Sequence, residues 1–265
     1  MQLPLHERFL EQAKAKLSQD HRLLGLLAGG SLMTGTMDEY SDLDLVIVYD
    51  AAYLSAIMEE RIQIAERLGH ILSAFTGEHV GEPRLVICLY GPQPLHVDLK
   101  FITPAELTTR IENPLIIWER TGEIRSILQA TSPSYPTPNP QWMEDRFWVW
   151  IHYAAAKLGR GEIFEAIDLI TFIRSTVLGP LILMQEGHLP RGVRRLEEHA
   201  KSELEEIKRT LPVHDADSCY HALKTAIRMY QRLRPDSGTF IARSEAEHIS
   251  ISYLEHIYDT IIKNS

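Results

Sequence analysis

The 265-residue chain reads as an α+β protein, an N-terminal mixed β-sheet with flanking helices followed by a C-terminal helical bundle. Three observations carry that reading. Before residue 130, short apolar runs bounded by Gly, Pro and Asp alternate with stretches of helical period. Residues 131–140, TSPSYPTPNP, hold four prolines in ten positions, and no regular element continues through them. From residue 142 onward the apolar residues recur at helical spacing. The expected organisation is a first domain at 1–130, a Pro-rich linker at 131–140 and a helical domain at 141–265.

Taken in order, residues 5–18 predict an amphipathic helix, because Leu5, Phe9, Leu10, Ala13 and Leu17 fall on one face. Residues 23–28 predict a short apolar strand that delivers the chain to Gly29-Gly30-Ser31, after which 32–35 could close one helical turn. Residues 43–49 are almost all apolar and predict a central strand buried on both faces. Residues 51–75 keep a helical spacing through Ile57, Ile64, Leu68 and Ile71 and predict one long helix. Residues 84–90 and 95–102 predict an antiparallel hairpin joined by Gly91-Pro92-Gln93-Pro94. Thr103-Pro104-Ala105-Glu106 is a capping-box pattern that opens a helix running to about residue 111, and 115–120 predicts a further strand. Helices are expected at 142–158, 162–186, 192–210, 217–233 and 244–263, with Gly and Pro punctuating the gaps.

The chemistry concentrates in residues 28–50, AGGSLMTGTMDEYSDLDLVIVYD. Asp42 and Asp44 are one residue apart at the mouth of a strand. Side chains alternate with period 2, so both carboxylates point to one face and can share divalent cations. Glycine permits a tight turn and close approach of backbone to a ligand, so Gly30 and Ser31 can offer N–H groups and a hydroxyl to phosphate oxygens.

A Gly-Ser pair, ten residues, then Asp-x-Asp leading an apolar strand resembles the nucleotidyltransferase superfamily that includes DNA polymerase beta. In plan the chain looks closest to the aminoglycoside and lincosamide nucleotidyltransferases, a short catalytic domain followed by helices. The resemblance implies Mg-dependent transfer of a nucleoside monophosphate, AMP from ATP or another NTP, to a hydroxyl of a small molecule such as an aminoglycoside-like antibiotic. It implies a third carboxylate from a later strand, and Asp98 in His96-Val97-Asp98-Leu99-Lys100 takes that place. Two Mg ions would then be held by Asp42, Asp44 and Asp98. A carboxylate outside this set can act as base on the acceptor hydroxyl, a role that falls on Glu165 or Asp168, which share one helical stripe.

Alternatives stay open for the basic residues. Lys100 can neutralise triphosphate charge from the Asp98 face or partner a carboxylate. Lys157 can reach a triphosphate or compensate a helix C-terminus. Trp148, Trp150 and Tyr153 have the spacing of core residues.

A net charge of -9 argues against a nucleic-acid partner and suits a cationic small substrate. Two cysteines, Cys88 and Cys219, indicate neither a disulfide framework nor a thiolate metal site, and twelve histidines show no zinc spacing. With no long apolar run, the expectation is a cytoplasmic protein with no membrane partner, and a homodimer is compatible with it. Two other functions fit the same pattern. One is a nucleotidyltransferase that modifies a protein or RNA, antitoxin-like, with Arg194/His199 and Arg243/His248 echoing the Arg-x4-His spacing of partner RNases. The other is a catalytically silent nucleotide-binding module.

Overall fold

The computed structural model describes residues 4–235, 238 and 240–262, and the chain divides into two compact units, Met1–Pro136 and Thr137–Ser265. The first unit is built on a six-stranded mixed sheet in the order β3-β4-β5-β2-β1-β6. Its strands are β1 (Leu23–Ala28), β2 (Leu43–Tyr49), β3 (His70–Gly77), β4 (Glu82–Gly91), β5 (Leu95–Ile102) and β6 (Leu115–Glu119). β2 and β5 run parallel, and every other neighbouring pair is antiparallel.

The helices of this unit are α1 (Pro4–Leu17), α2 (Gly30–Thr34), α3 (Leu54–Glu66), α4 (Pro104–Leu107) and α5 (Glu123–Ala130). One sheet face buries Leu43, Leu45, Ile47, Val97, Leu99 and Phe101 against Phe9, Ala13 and Leu17 of α1 and Ile57, Ile64 and Ala65 of α3. Each of the Leu, Ile, Val and Phe side chains so removed from water contributes about 1.5–3 kcal/mol. The opposite face is covered at the ends of β2 and β5 by α4 and α5, where Val48 and Ile102 meet Leu107 and Ile124. Asp44 and Asp98 lie on that second face, nearer the strand starts.

Most expected elements form near their expected bounds, and the departures have local causes. Residues 51–75 were expected as one helix, but α3 stops at Glu66 and β3 begins at His70. Gly69 breaks the run, and β3 is an edge strand that leaves Leu72 and Phe75 about half exposed, so its apolar residues mimic helical spacing without a buried stripe. α5 was not foreseen. The capping box at Thr103 is present with both reciprocal hydrogen bonds, although α4 is shorter than expected.

The second unit is helical: α6 (Pro140–Gly159), α7 (Ile163–Ile173), α8 (Gly179–Gln185), α9 (Leu196–His199), α10 (Leu204–Lys208), α11 (Ala216–Leu233) and α12 (Ser244–Ile257). A π turn at Arg174–Leu178 joins α7 to α8, giving the continuous run Ile163–Gln185. That run is long and apolar enough to cross a membrane by composition, and half of its most apolar window is buried in the core of the unit. The expected helix at 192–210 is broken instead, because Arg195 (φ 57°) and Lys201 (φ 32°) adopt backbone through which a right-handed helix cannot run. The expected end of the last helix, Lys263, lies outside the described residues.

The core of the second unit centres on Phe147, Trp148 and Tyr230, with the Phe147 and Tyr230 rings stacked at 3.9 Å. Trp150 packs at its margin and Tyr153 is half exposed. Glu144 is fully buried beneath this cluster. It accepts from the Trp148 indole (3.0 Å), the Tyr230 hydroxyl (2.7 Å), the Arg243 amide (2.8 Å) and the Arg234 guanidinium (3.2 Å). Burial pushes its carboxyl up, and these donors together outweigh burial and hold it below the usual range. Because a buried charge stays satisfied only while every partner remains, Glu144→Ala is expected to cost about 3–5 kcal/mol in urea unfolding of the full chain. A loss below about 1 kcal/mol would show that the network is not a keystone of this unit.

Candidate active site

The site is assembled at the starts of β2 and β5 by strand register. Asp44 pairs with Asp98 across the parallel ladder, Leu43 with Val97 and Leu45 with Leu99. In-register neighbours point to the same side of the sheet, so the two carboxylates stand side by side while the flanking leucines and valine turn into the core. Asp42 lies just before β2 and is half buried. Its approach is fixed by buried His6 of α1, whose ring N–H donates to the Ser41 carbonyl at 2.8 Å, and by the turn in which the Ser41 hydroxyl donates to Asp38 at 2.8 Å.

The glycine turn meets Asp44 directly. The Gly29 N–H donates to the Asp44 carbonyl at 2.9 Å, and a Cβ on Gly30 would lie 2.1 Å from the Asp44 carboxylate. Gly30 also has φ +59°, so this position excludes side chains both by space and by backbone. Ser31 follows in α2, half buried. The structure thus gathers Gly30, Asp44 and Asp98, with Ser31 and Asp42 adjoining them.

Burial raises the Asp98 carboxyl, His96 opposes that rise through a 3.0 Å contact with Oδ1, and the charge of Asp42 adds to it. Asp42 is therefore close enough for its charge to be felt at Asp98. Among the described residues, no three His, Cys, Asp or Glu side chains are already gathered as a metal-binding group. The donor set is nevertheless carboxylate oxygen, the chemistry that a hard cation such as Mg requires, and Asp44 with Asp98 supplies two such groups on one face.

The remaining expected site residues sit in ion pairs or at the surface. Lys100 shares the Asp98 face but pairs with Glu82 at 2.8 Å, and Arg84 grips Glu82 and Glu106 at 2.6 Å each. Lys157, only 9% exposed, pairs with Glu162 and Glu165, each at 2.6 Å, and its ammonium is raised by Glu162 first and Glu165 second. The residue expected to meet phosphate and one residue expected to act as base are thus paired with each other. Asp168 lies exposed on α7.

Two contacts were not read from the sequence. The polar face that His96 shares with Asp98 and Lys100 is expected from strand parity to extend the metal site, but the His96 contact with Asp98 is not foreseen, and Glu112 is not singled out by the sequence. Glu112 accepts the Gly30 N–H at 3.1 Å across 82 positions of chain. A loop carboxylate that far from its partner leaves no periodic or motif signal, whereas the His96 contact follows from the i, i+2 parity of a strand.

Residues 10–81 match the nucleotidyltransferase domain family. An aminoglycoside 6-adenyltransferase from Bacillus subtilis is similar at 16% identity and TM-score 0.40, over 94% of this chain and 97% of that one. A nucleotidyltransferase-like protein from Exiguobacterium sibiricum is similar at 14% identity and TM-score 0.36, over 96% and 75%. A spectinomycin adenyltransferase from Enterococcus faecialis, solved with ATP and spectinomycin, is similar at 12% identity and TM-score 0.32, over 96% and 99%. No curated protein matches the chain.

The ion pairs around Lys100 give a pH test of its structural role. Arg84 first, and then Lys100, hold the Glu82 carboxyl down from its ordinary 4.5 to about 2, against the opposing effect of burial. A depressed folded value contributes stability that is present above the unfolded pKa and lost as pH falls through the folded one. Glu82→Gln is therefore expected to lower stability at pH 7 by about 1–3 kcal/mol, and the difference from wild type should shrink between about pH 4.5 and 2. A pH-independent difference in chemical unfolding would remove the charge explanation.

The segment that matches the nucleotidyltransferase domain family, residues 10–81, carries β1, the glycine turn, Asp42, Asp44 and β2 of the first unit, and Asp98 lies beyond it.

Proposed function

We propose that the protein transfers a nucleoside monophosphate, AMP from ATP, to a hydroxyl of a small cationic molecule of the aminoglycoside type. One observation carries the reading: Asp44, inside the segment that matches the nucleotidyltransferase domain family, stands in register with Asp98 beside Gly30, whose backbone and close contact with Asp44 favour glycine. Ser31, with the close backbone approach that Gly30 permits while its N–H is held by Glu112, is assigned to the phosphates, and Asp42, Asp44 and Asp98 to divalent cations. When bound, Mg supplies neutralisation of the charge that develops on the transferring phosphoryl group and the departing pyrophosphate. Asp98, on the central parallel pair and partly desolvated, is assigned to the acceptor side, where its carboxylate orients the attacking hydroxyl. The chain's net charge of -9 supports a cationic acceptor over a nucleic acid. Action in the cytoplasm accords with two unpaired, buried cysteines.

The test is pyrophosphate release from each NTP in the presence of cationic hydroxyl-bearing acceptors, with Mg and with EDTA. Mg-dependent release that requires one acceptor is the expected result, and release stimulated by protein or RNA instead would favour an antitoxin-like enzyme. In Asp98→Asn, turnover is expected to fall roughly a hundredfold or more. Stability should move the other way. A carboxyl whose folded pKa is raised above its ordinary 3.8 loses stability as pH rises through the folded value, so at pH 7 its charge opposes folding. The Asn variant should consequently melt at the wild-type temperature or higher without metal, and wild-type turnover in that variant would contradict the assignment.

A further inference from the structure

A turn that binds phosphate works best when its amides are fixed before the ligand arrives. The Gly29-Gly30 turn is held twice. Asp44 takes the Gly29 N–H on its main-chain carbonyl and lays its carboxylate against Gly30, as described above. Glu112 supplies the second hold: its Oε1 accepts the Gly30 N–H at 3.1 Å and would lie 2.8 Å from a Cβ at Gly29. A side chain at Gly29 would therefore displace the Glu112 carboxylate, whereas Gly30 is fixed as glycine by its backbone as well.

Glu112 belongs to the loop between α4 and β6, which has no regular structure of its own but is anchored on both sides of Glu112. Arg110 is 8% exposed and donates to the Asn113 side chain at 2.7 Å, the Leu128 carbonyl at 3.1 Å and the Thr131 carbonyl at 2.5 Å. The Ser134 N–H donates back to the Arg110 carbonyl at 2.9 Å. Arg110 and Asn113 therefore pin the loop to the end of α5, and Glu112 is presented from a fixed base.

We propose that Glu112 is a positioning residue of the nucleotide site: by accepting the Gly30 N–H it sets the orientation of the glycine turn, and so of Ser31, relative to Asp44. The proposal rests on the nucleotidyltransferase reading given above. It assigns Glu112 no contact with the reacting atoms. A hydrogen bond to a carboxylate is about twice as strong as one between neutral groups, which suits it to holding an otherwise permissive glycine pair.

Two variants separate the hydrogen bond from the charge. Glu112→Gln keeps an acceptor oxygen, and Glu112→Ala removes it. Two readouts on the full chain are required, amide hydrogen exchange over residues 29–32 without nucleotide, and binding of a non-hydrolysable ATP analogue with Mg. The Ala variant should exchange faster in this segment and bind the analogue about tenfold more weakly, while the Gln variant stays within about threefold of wild type in both. An Ala variant that exchanges and binds like wild type overturns the proposal and leaves the function reading standing. An Ala variant that binds more tightly also overturns it, since Glu112 would then be a competitor for the same N–H. Wild-type protein that binds no nucleotide analogue overturns the function reading, and the positioning role with it.

Discussion

The parallel pairing of β2 with β5 is the constraint on which the first unit depends. It is the one parallel contact in an otherwise antiparallel sheet, and it fixes Asp44 opposite Asp98. A one-residue slip of either strand would turn its carboxylate into the layer where Leu43, Leu45, Val97 and Leu99 are buried, so the apolar core specifies the register together with the ladder. The same core that makes the sheet stable therefore delivers the polar pair to the open face. α4 and α5 cover that face only near Val48 and Ile102, leaving the carboxylate end partly exposed.

Such an arrangement opposes folding locally. Burial and the neighbouring charge of Asp42 both act against ionisation of Asp98, and His96 only partly offsets them. Elsewhere in the chain, carboxylates are held down by their partners: Glu82 by Arg84 and Lys100, Glu144 by four donors in the helical unit. The contrast separates carboxylates that stabilise the fold from carboxylates that the fold must hold against repulsion. Groups of the second kind are the ones for which a cation is the natural missing partner.

Those distinctions were unevenly legible in the sequence. The strand carrying Asp44 and the hairpin carrying Asp98 could be read because they are continuous apolar runs bounded by turn residues, and the Gly-Ser to Asp-x-Asp spacing carries the resemblance to nucleotidyltransferases. β3 was misread because an edge strand need not alternate cleanly, and Ile71 happened to extend the spacing of α3. The helix expected at 192–210 had the right composition, but the positive φ at Arg195 and Lys201 that interrupts it leaves no mark on composition. At the site, Asp44 and Asp98 followed from parity and resemblance. The partners of Lys100 and Lys157 did not follow, because Glu82 and Glu165 become neighbours only after the chain is folded. Glu112 is the extreme case, a loop residue whose contact with Gly30 depends on Arg110 anchoring its loop to α5.

The central claim is that strand register places Asp44 and Asp98 to share a divalent cation with a nucleotide. The most direct test is a crystal structure of the protein with Mn²⁺ and a non-hydrolysable ATP analogue, with the ion located by its anomalous signal. The account predicts a Mn²⁺ peak within about 2.5 Å of carboxylate oxygens from both Asp44 and Asp98, bridged to the analogue's phosphates beside Gly30 and Ser31. A nucleotide bound with its metal on other residues, or a metal held by only one of these two carboxylates, would contradict it.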